Sequence, residues 1–323
     1  MNQKELPLKF EQIRTFGNVF ADTRKLIREN FVVFFKCILF LVGPIALFTC
    51  TIHEFYKVNI IGDNGADWSH IGSYVAASTI YTQLRWVING LVTSIVVSHF
   101  MKVYREYGPG KFEVNDVTKS ILKDFGGSLV TAIVVLIGVT VISIVVAGLI
   151  FGVAQLSPAG GILLIVLGYI GYILIRFPFW YFVYSIFHAR LSGPRKVNPF
   201  TGIQIAGKAF SGNWWFTWIT FGCMWGLLTA LGYLVSAPAE TFSMIINLFD
   251  YDIRNNPEID WKLIESILAS LAEFARTLIY SVFCAAIALH FYSLREKKEG
   301  TGTMELLAQI GNNKDDDHIE LTY

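Results

Sequence analysis

The sequence predicts an all-α membrane protein, a polytopic bundle of six transmembrane helices with short elbow helices at the cytoplasmic membrane interface. The 323 residues are 54% hydrophobic and 16% charged, with a mean hydropathy of +0.50. Residues 125–175 and 209–239 contain no Asp, Glu, Lys, Arg or His. Apolar runs longer than about 18 residues are typical of membrane-spanning helices, because a helix satisfies its own backbone hydrogen bonds in lipid.

Six apolar stretches are long enough to cross a bilayer, whose hydrocarbon core requires about 20 helical residues. The second stretch is the most polar, since its continuous apolar part covers only residues 86–100. Pro158, Gly160 and Gly161 separate the third span from the fourth and predict a tight helical hairpin. The predicted spans are residues 31–52, 74–101, 126–153, 161–187, 214–237 and 264–291.

The distribution of basic residues predicts that both termini lie in the cytoplasm. The termini and the loops on their side contain 19 Lys and Arg residues, whereas the opposite loops contain 3. Positively charged loops are retained on the cytoplasmic side of a membrane, so the side with 19 is the cytoplasmic one. An even number of spans places the two termini on the same side, which agrees with this count.

A recurring pattern precedes and follows the predicted hairpins. Basic stretches with helical periodicity precede the odd-numbered spans, at residues 20–31, 114–125 and 201–215, and predict the elbow helices. A histidine followed by basic residues ends each even-numbered span. The period of roughly ninety residues fits either three copies of an elbow helix plus a hairpin or a generic membrane-entry pattern. Residues 1–292 form one predicted membrane domain, and 293–323 form a cytoplasmic tail.

Ionisable residues inside the predicted spans are the candidate functional residues, because charge at membrane depth is costly. Lys36 is expected to snorkel towards the cytoplasmic interface, and Arg85 either snorkels the other way or marks the true start of the second helix. Two interpretations are open for the remaining charges. An Arg176–Glu273 pair would fix the fourth span against the sixth, whereas surplus positive charge would form a site for an anion or a lipid headgroup. The predicted anion or lipid site comprises Arg176, Arg276, Glu273, Tyr172 and Trp180.

Metal and cofactor chemistry have little support in the sequence. His99, His188 and His290 end three different spans at similar depth and would supply three imidazoles to a zinc ion, although interfacial histidines are ordinary. The sequence contains no HExxH, GxSxG or GxGxxG motif, and its net charge of +1 offers no basic stripe for nucleic acid. We therefore predict no catalytic residue, no cofactor, no metal and no nucleic-acid partner.

Three strings carry a resemblance to a known family: RENFVVFFKCILFLVGP, GNWWFTWITF and ALHFYSLREKKEGTG. They resemble a family of uncharacterised bacterial six-span proteins, similar to the membrane domain attached to some glycerophosphodiester phosphodiesterases. The resemblance implies an all-helical bundle with cytoplasmic elbow helices in a bacterial inner membrane, and it supplies no catalytic residues. The residues after 291 are too few to hold a phosphodiesterase domain.

Two functions agree with these observations. The first is a non-enzymatic inner-membrane protein that supports or assembles with a membrane complex, with a membrane protein or a second copy of the chain as partner. The second is a transporter or carrier of an anionic amphiphile or lipid, through a cavity lined by Arg176, Arg276 and Glu273. In both, the lipid bilayer is the surrounding partner.

Overall fold

A computed structural model describes residues 8–52, 71–156, 158–193, 197–248, 261–300 and 304 of the chain. Within these ranges, side chains are described except at residues 71–84, 142–156, 158–170, 172, 173, 175, 176, 243, 246–248, 261 and 262. The described part is helical and contains no strand, which confirms the predicted all-α class.

The described helices form three groups, and each group consists of one short helix followed by two long ones. The first group is α1 (Phe16–Glu29), α2 (Phe31–Cys37) and α3 (Ile71–Tyr107). A π-helical turn, Ile38–Val42, continues α2 into helical residues 43–52. In this first group, α2 counts as long together with the helical residues that continue it to residue 52. The second group is α4 (Val114–Lys123), α5 (Phe125–Leu156) and α6 (Pro158–Leu191), and the third is α7 (Pro199–Phe210), α8 (Trp214–Leu248) and α9 (Trp261–Glu299).

Four described helices are long and apolar enough to cross a membrane. They are Phe31–Ile52, Arg85–Tyr107, Trp214–Phe242 and Leu263–Glu299, and the bent pair Val114–Lys123 plus Phe125–Val141 raises the number to five. The prediction of several membrane-capable helices is therefore confirmed. The predicted fourth span lies in α6, where the side chains of residues 158–170 lie outside the described part, and the total of six stays a prediction.

Local capping signals explain where two of the short helices begin. Asn198 accepts a hydrogen bond from the backbone amide of Thr201 at 2.7 Å, and Pro199 occupies the first turn of α7. Asp116 accepts a hydrogen bond from the Glu113 amide at 2.9 Å, in a capping box that starts α4. These short helices overlap the stretches predicted at residues 114–125 and 201–215, and their position at a membrane interface stays a prediction.

A buried polar residue stands between each short helix and the long helix that follows it. These residues are Asn30, Asp124 and Asn213. The Asn30 and Asn213 side-chain amides donate to the carbonyl four residues earlier, at 3.0 and 3.3 Å, so they satisfy the end of the short helix. At Asp124 the chain bends by 72° between α4 and α5.

The second half of α9 is the centre of the bundle. Every residue from Phe283 to Leu294 is buried, on all faces of the helix. Alanine at positions 285, 286 and 288 keeps this helix thin, which allows α1, α3, α6, α7 and α8 to contact it. The sequence predicted α9 as one span among six and gave no sign of its central position.

The segment before α1 packs across the ends of α3 and α9. The Phe10 ring contacts the rings of Tyr104 and Tyr292, and the Arg14 amide donates to the Ser293 hydroxyl at 2.7 Å. The Arg14 guanidinium is buried and donates to Asp22 at 2.8 Å. The helical core thus continues beyond residue 292, where the sequence predicted a tail.

We expect Gly90→Ala to destabilise the protein. A Cβ at Gly90 in α3 would collide with the hydroxyl of Tyr184 in α6, and overpacking of this kind costs about 1–3 kcal/mol. Thermal unfolding in detergent measures the change. The control is Gly226→Ala in α8, whose Cβ would meet no atom within 4 Å, so its midpoint stays the same or rises. Equal midpoints for the two variants would contradict the close α3–α6 contact.

Candidate functional site

Four charged side chains from three candidate spans meet at one place in the bundle. Glu273 of α9 is central, because Arg276 Nη1 donates to its Oε1 at 2.5 Å and Arg85 Nη2 of α3 lies 3.5 Å from its Oε2. Arg276 Nη2 also donates to Glu240 Oε1 of α8 at 2.6 Å. The cluster therefore ties α3, α8 and α9 together through two arginines and two glutamates.

The Arg85 side chain is buried in the bundle, and Arg85 does not mark the start of its helix. It is 8% exposed, lies on Glu273, and its guanidinium carbon is 5.7 Å from the centre of the Trp86 ring. The reason is that α3 begins at Ile71, so Arg85 is well inside a long helix. A buried arginine is retained where a carboxylate offsets its desolvation.

Glu240 joins the cluster because α8 does not end where its span was predicted to end. The helix continues past residue 237, through Pro238 to Leu248. Proline removes one backbone hydrogen bond from a helix, and helices in membranes tolerate this when neighbouring groups compensate. In this helix Ser236 and Glu240 are four residues apart and share a face, and the Ser236 hydroxyl donates to Glu240 Oε1 at 2.8 Å.

A glycine and a tyrosine of α8 hold the stem and the head of Arg276. A Cβ at Gly232 would lie 3.4 Å from Arg276 Cγ, an ordinary van der Waals distance, so the arginine stem lies directly beside the backbone of α8. The guanidinium carbon stands 5.1 Å from the centre of the Tyr233 ring, within range of a cation–π interaction. Arg276 is therefore fixed in position by α8 as well as by its own helix.

Arg276 forms part of the wall of a cavity of about 280 Å³ between α3, α8 and α9. Four aromatic rings supply half of the remaining wall residues. A second, narrower cavity of about 10 Å³ beside Arg85 and Glu273 shares two of these rings, Trp86 and Tyr280. A wall of aromatic and aliphatic side chains with one charged group is typical of sites for small amphipathic ligands. The wall comprises Trp86, Trp225, Leu228, Thr229, Gly232, Tyr233, Arg276, Ile279 and Tyr280.

The predicted site residues are only partly brought together. Glu273 and Arg276 are in contact, as their spacing predicted. Trp180 stacks on Tyr184, which contacts Tyr280 of the cavity wall, but Trp180 itself does not line the cavity. The backbones of Arg176 and Tyr172 lie in α6, and their side chains lie outside the described residues, so the Arg176–Glu273 pair stays a prediction.

Three members of the site were not predicted from the sequence. Arg85 was not among the predicted site residues, and Glu240 was expected in the loop that follows the fifth span. Ser236 was expected inside that span, without a role in the site. The available signal was the four-residue spacing of Ser236 and Glu240, which becomes visible only if the helix is extended through Pro238. With these residues included, the described charges at the site balance, and the predicted surplus of positive charge does not appear among them.

The three histidines occupy three different environments rather than one metal site. His99 Nδ1 lies 2.9 Å from the Ser120 hydroxyl and its Nε2 lies 3.2 Å from that of Ser128. His290 Nε2 lies 3.2 Å from the Thr217 hydroxyl, and both ring nitrogens of His188 are buried without a hydrogen-bond partner in the structure. Among the described residues, no three His, Cys, Asp or Glu side chains are positioned to hold a metal ion.

A second buried ion pair joins α6 to the junction of α4 and α5. Arg190 donates to Asp124, which also accepts from the Ser128 hydroxyl at 3.1 Å and lies 3.7 Å from His99 Nε2. A Cβ at Gly127 would collide with the Arg190 guanidinium, so the glycine permits this approach. The pair is 7% exposed or less on both sides and lines no described cavity, which indicates a structural role.

No family model, curated protein or solved structure matches the chain. The resemblance to the bacterial six-span family therefore stays a prediction made from the sequence. The chemistry of the site rests on its own side chains: an aromatic cavity, a guanidinium in its wall, and carboxylates that neutralise this guanidinium.

We expect Glu273→Gln to destabilise the protein by about 3 kcal/mol, because it removes the carboxylate that Arg85 and Arg276 share. Denaturant unfolding in detergent micelles measures the loss. The matched control is Glu299→Gln, which removes an exposed ion pair with Arg295 on the same helix and costs about 0.3–0.5 kcal/mol. Similar losses in the two variants would show that Glu273 is not the centre of the cluster.

Proposed function

We propose that the protein is a transporter or carrier that binds an anionic amphiphile in the aromatic cavity beside Arg276. The observation that carries this proposal is the presence of Arg276 in the wall of a cavity of about 280 Å³, which four aromatic rings and two aliphatic side chains also line. An apolar chain gains free energy from the rings, while an oxyanion gains charge-assisted hydrogen bonds from the guanidinium. A ligand that carries both groups can make the apolar contacts with the rings and the hydrogen bonds with Arg276 at the same time.

The location of the site favours a ligand that arrives from the bilayer. The residues that bind Arg276 belong to candidate spans, and the exposed residues of the neighbouring α8 surface include Leu227, Leu231 and Leu234. A ligand dissolved in lipid meets this apolar surface directly. The setting we propose is a bacterial inner membrane crossed six times, with both termini and the short helices α1, α4 and α7 on the cytoplasmic side.

We expect a single-chain anion to bind the wild-type protein more tightly than the matching alcohol. Trp86 and Trp225 line the cavity, so terminally brominated dodecanoate quenches their fluorescence when its chain enters. The measurement is saturable quenching in phosphatidylcholine nanodiscs, with brominated dodecanol as the neutral probe. Arg276→Gln should weaken dodecanoate binding about tenfold, which corresponds to the free energy of one charge-assisted hydrogen bond. The affinity for dodecanol should stay unchanged.

Two further variants control this experiment. Arg276→Lys keeps the charge and should retain part of the preference for the anion. Arg295→Gln removes an arginine from the far end of α9, where it pairs with Glu299, and should not alter binding of either probe. Equal saturable quenching by dodecanoate and dodecanol in the wild-type protein would refute the proposed function.

The second candidate function is support of, or assembly with, a membrane complex. The observation that favours it is the low burial of two candidate spans, 33% for Phe31–Ile52 and 28% for Trp214–Phe242, against 72% for the other two. These helices present long apolar faces outward, which a partner protein or a second copy would cover as well as lipid does.

The assembly role predicts a stoichiometric protein partner in the native membrane. Native mass spectrometry after gentle extraction should then show the chain bound to a partner or to a second copy, held by these apolar faces. Replacing Leu231 and Leu234, both exposed on α8, by Ala should reduce the bound fraction. A monomeric chain without protein partners would exclude this role and leave the carrier function.

A further inference from the structure

Ser236 and Glu240 follow Gly232 of the cavity wall at intervals of four residues, so they continue the same face of α8 beyond the described cavity. The Glu240 carboxylate binds Arg276 at this place. Its Oε1 atom accepts from Arg276 Nη2 at 2.6 Å and from the Ser236 hydroxyl at 2.8 Å, so two donors converge on a single oxygen. Arg276 Nη2 and Ser236 Oγ are themselves 2.5 Å apart. Such a pair of adjacent donors is a preformed subsite for one oxygen of a carboxylate or phosphate.

The two carboxylates that bind Arg276 are not equivalent. The Glu273 side chain is 16% exposed and also lies on Arg85, whereas the Glu240 side chain is 58% exposed. An exposed ion pair is weak because its side chains lose conformational freedom and few other protein contacts hold them. Glu240 is therefore the partner that a competing anion displaces, while Glu273 keeps Arg276 in place.

The helix that carries Glu240 is weakened next to it. Pro238 lies inside α8 two residues before Glu240 and has no amide hydrogen to donate to the carbonyl four residues earlier. The part of α8 that follows Pro238 is thus joined to the preceding turn of the helix by one backbone hydrogen bond fewer.

We propose that Glu240 is a tethered carboxylate that occupies the anion subsite and that a single-chain amphiphile binds by replacing it. This inference rests on the proposed function and adds its regulation. The incoming oxyanion accepts from Arg276 Nη2 and Ser236 Oγ in place of Glu240 Oε1, and the chain lies against Trp86, Trp225 and Tyr280. No bond is made or broken other than these hydrogen bonds.

The cavity volume suits a ligand with one apolar chain or ring system. About 280 Å³ corresponds to roughly nine water molecules at about 30 Å³ each, near the lower limit for small-molecule sites. The ligand chemistry is therefore one oxyanion on one apolar chain, as in a free fatty acid or an alkyl phosphate.

The test measures binding of brominated dodecanoate and brominated dodecyl phosphate to Glu240→Gln in phosphatidylcholine nanodiscs. Glutamine removes the competing charge, so affinity for both probes should rise about threefold. This factor corresponds to the free energy of a typical exposed ion pair. Glu240→Ala, which removes the competing group altogether, should show the same rise. Glu299→Gln removes an equally simple ion pair at the far end of α9 and should leave affinity unchanged.

Ser236→Ala separates the proposed exchange from a general charge effect. In the wild-type protein the hydroxyl donates to Glu240 before binding and to the ligand afterwards. In the Glu240→Ala background no acceptor remains at position 240, so the Ser236 hydroxyl is free to donate to the ligand, and Ser236→Ala should cancel most of the threefold gain. A gain that survives Ser236→Ala would overturn the assignment of the subsite.

The outcomes distinguish this inference from the proposed function. If Arg276→Gln abolishes the preference for anions but Glu240→Gln leaves affinity unchanged, the carrier function stands and the tethered carboxylate is refuted. If neither wild type nor Glu240→Gln prefers an anion over dodecanol, both are refuted. If only dodecyl phosphate, or only dodecanoate, gains affinity in Glu240→Gln, the exchange is supported and the headgroup is identified.

Discussion

The enclosure of the second half of α9 is the constraint on which the rest of the structure depends. A helix that is buried on every face from Phe283 to Leu294 needs neighbours on all sides, and its alanines let them approach closely. The first half of the same helix is more exposed and carries Glu273 and Arg276. About fourteen residues, or roughly 21 Å, separate Arg276 from His290, so one rigid helix joins the packed centre to the cavity.

Two groups of paired charges, at two different places in the bundle, join its helices. Asp124 and Arg190 join α6 to the bend between α4 and α5, and Glu273 joins α3 to α9 through Arg85. Each pair is largely removed from water, so each partner depends on the other to offset its desolvation. The pairs differ in their surroundings, since only the Glu273 cluster borders described cavities. This difference separates a structural ion pair from a candidate binding site.

The candidate site combines a strongly held arginine with one weakly held partner. Gly232 and Tyr233 position the Arg276 side chain, and Glu273 neutralises it in a partly buried setting. Glu240 completes its coordination from the exposed side of α8. A guanidinium that is fixed but incompletely enclosed is suited to exchange one oxyanion for another, because the exchange leaves the rest of the ion-pair network intact.

The amino-acid sequence by itself determined the helical, membrane-capable character of the chain, because composition and periodicity act locally. The 51 uncharged residues from 125 to 175 are an example. Only the tertiary structure decided that α9 is central, that Arg85 lies on Glu273, and that Glu240 reaches Arg276. These contacts join residues on different helices, and their partners depend on how those helices pack, which no local pattern specifies.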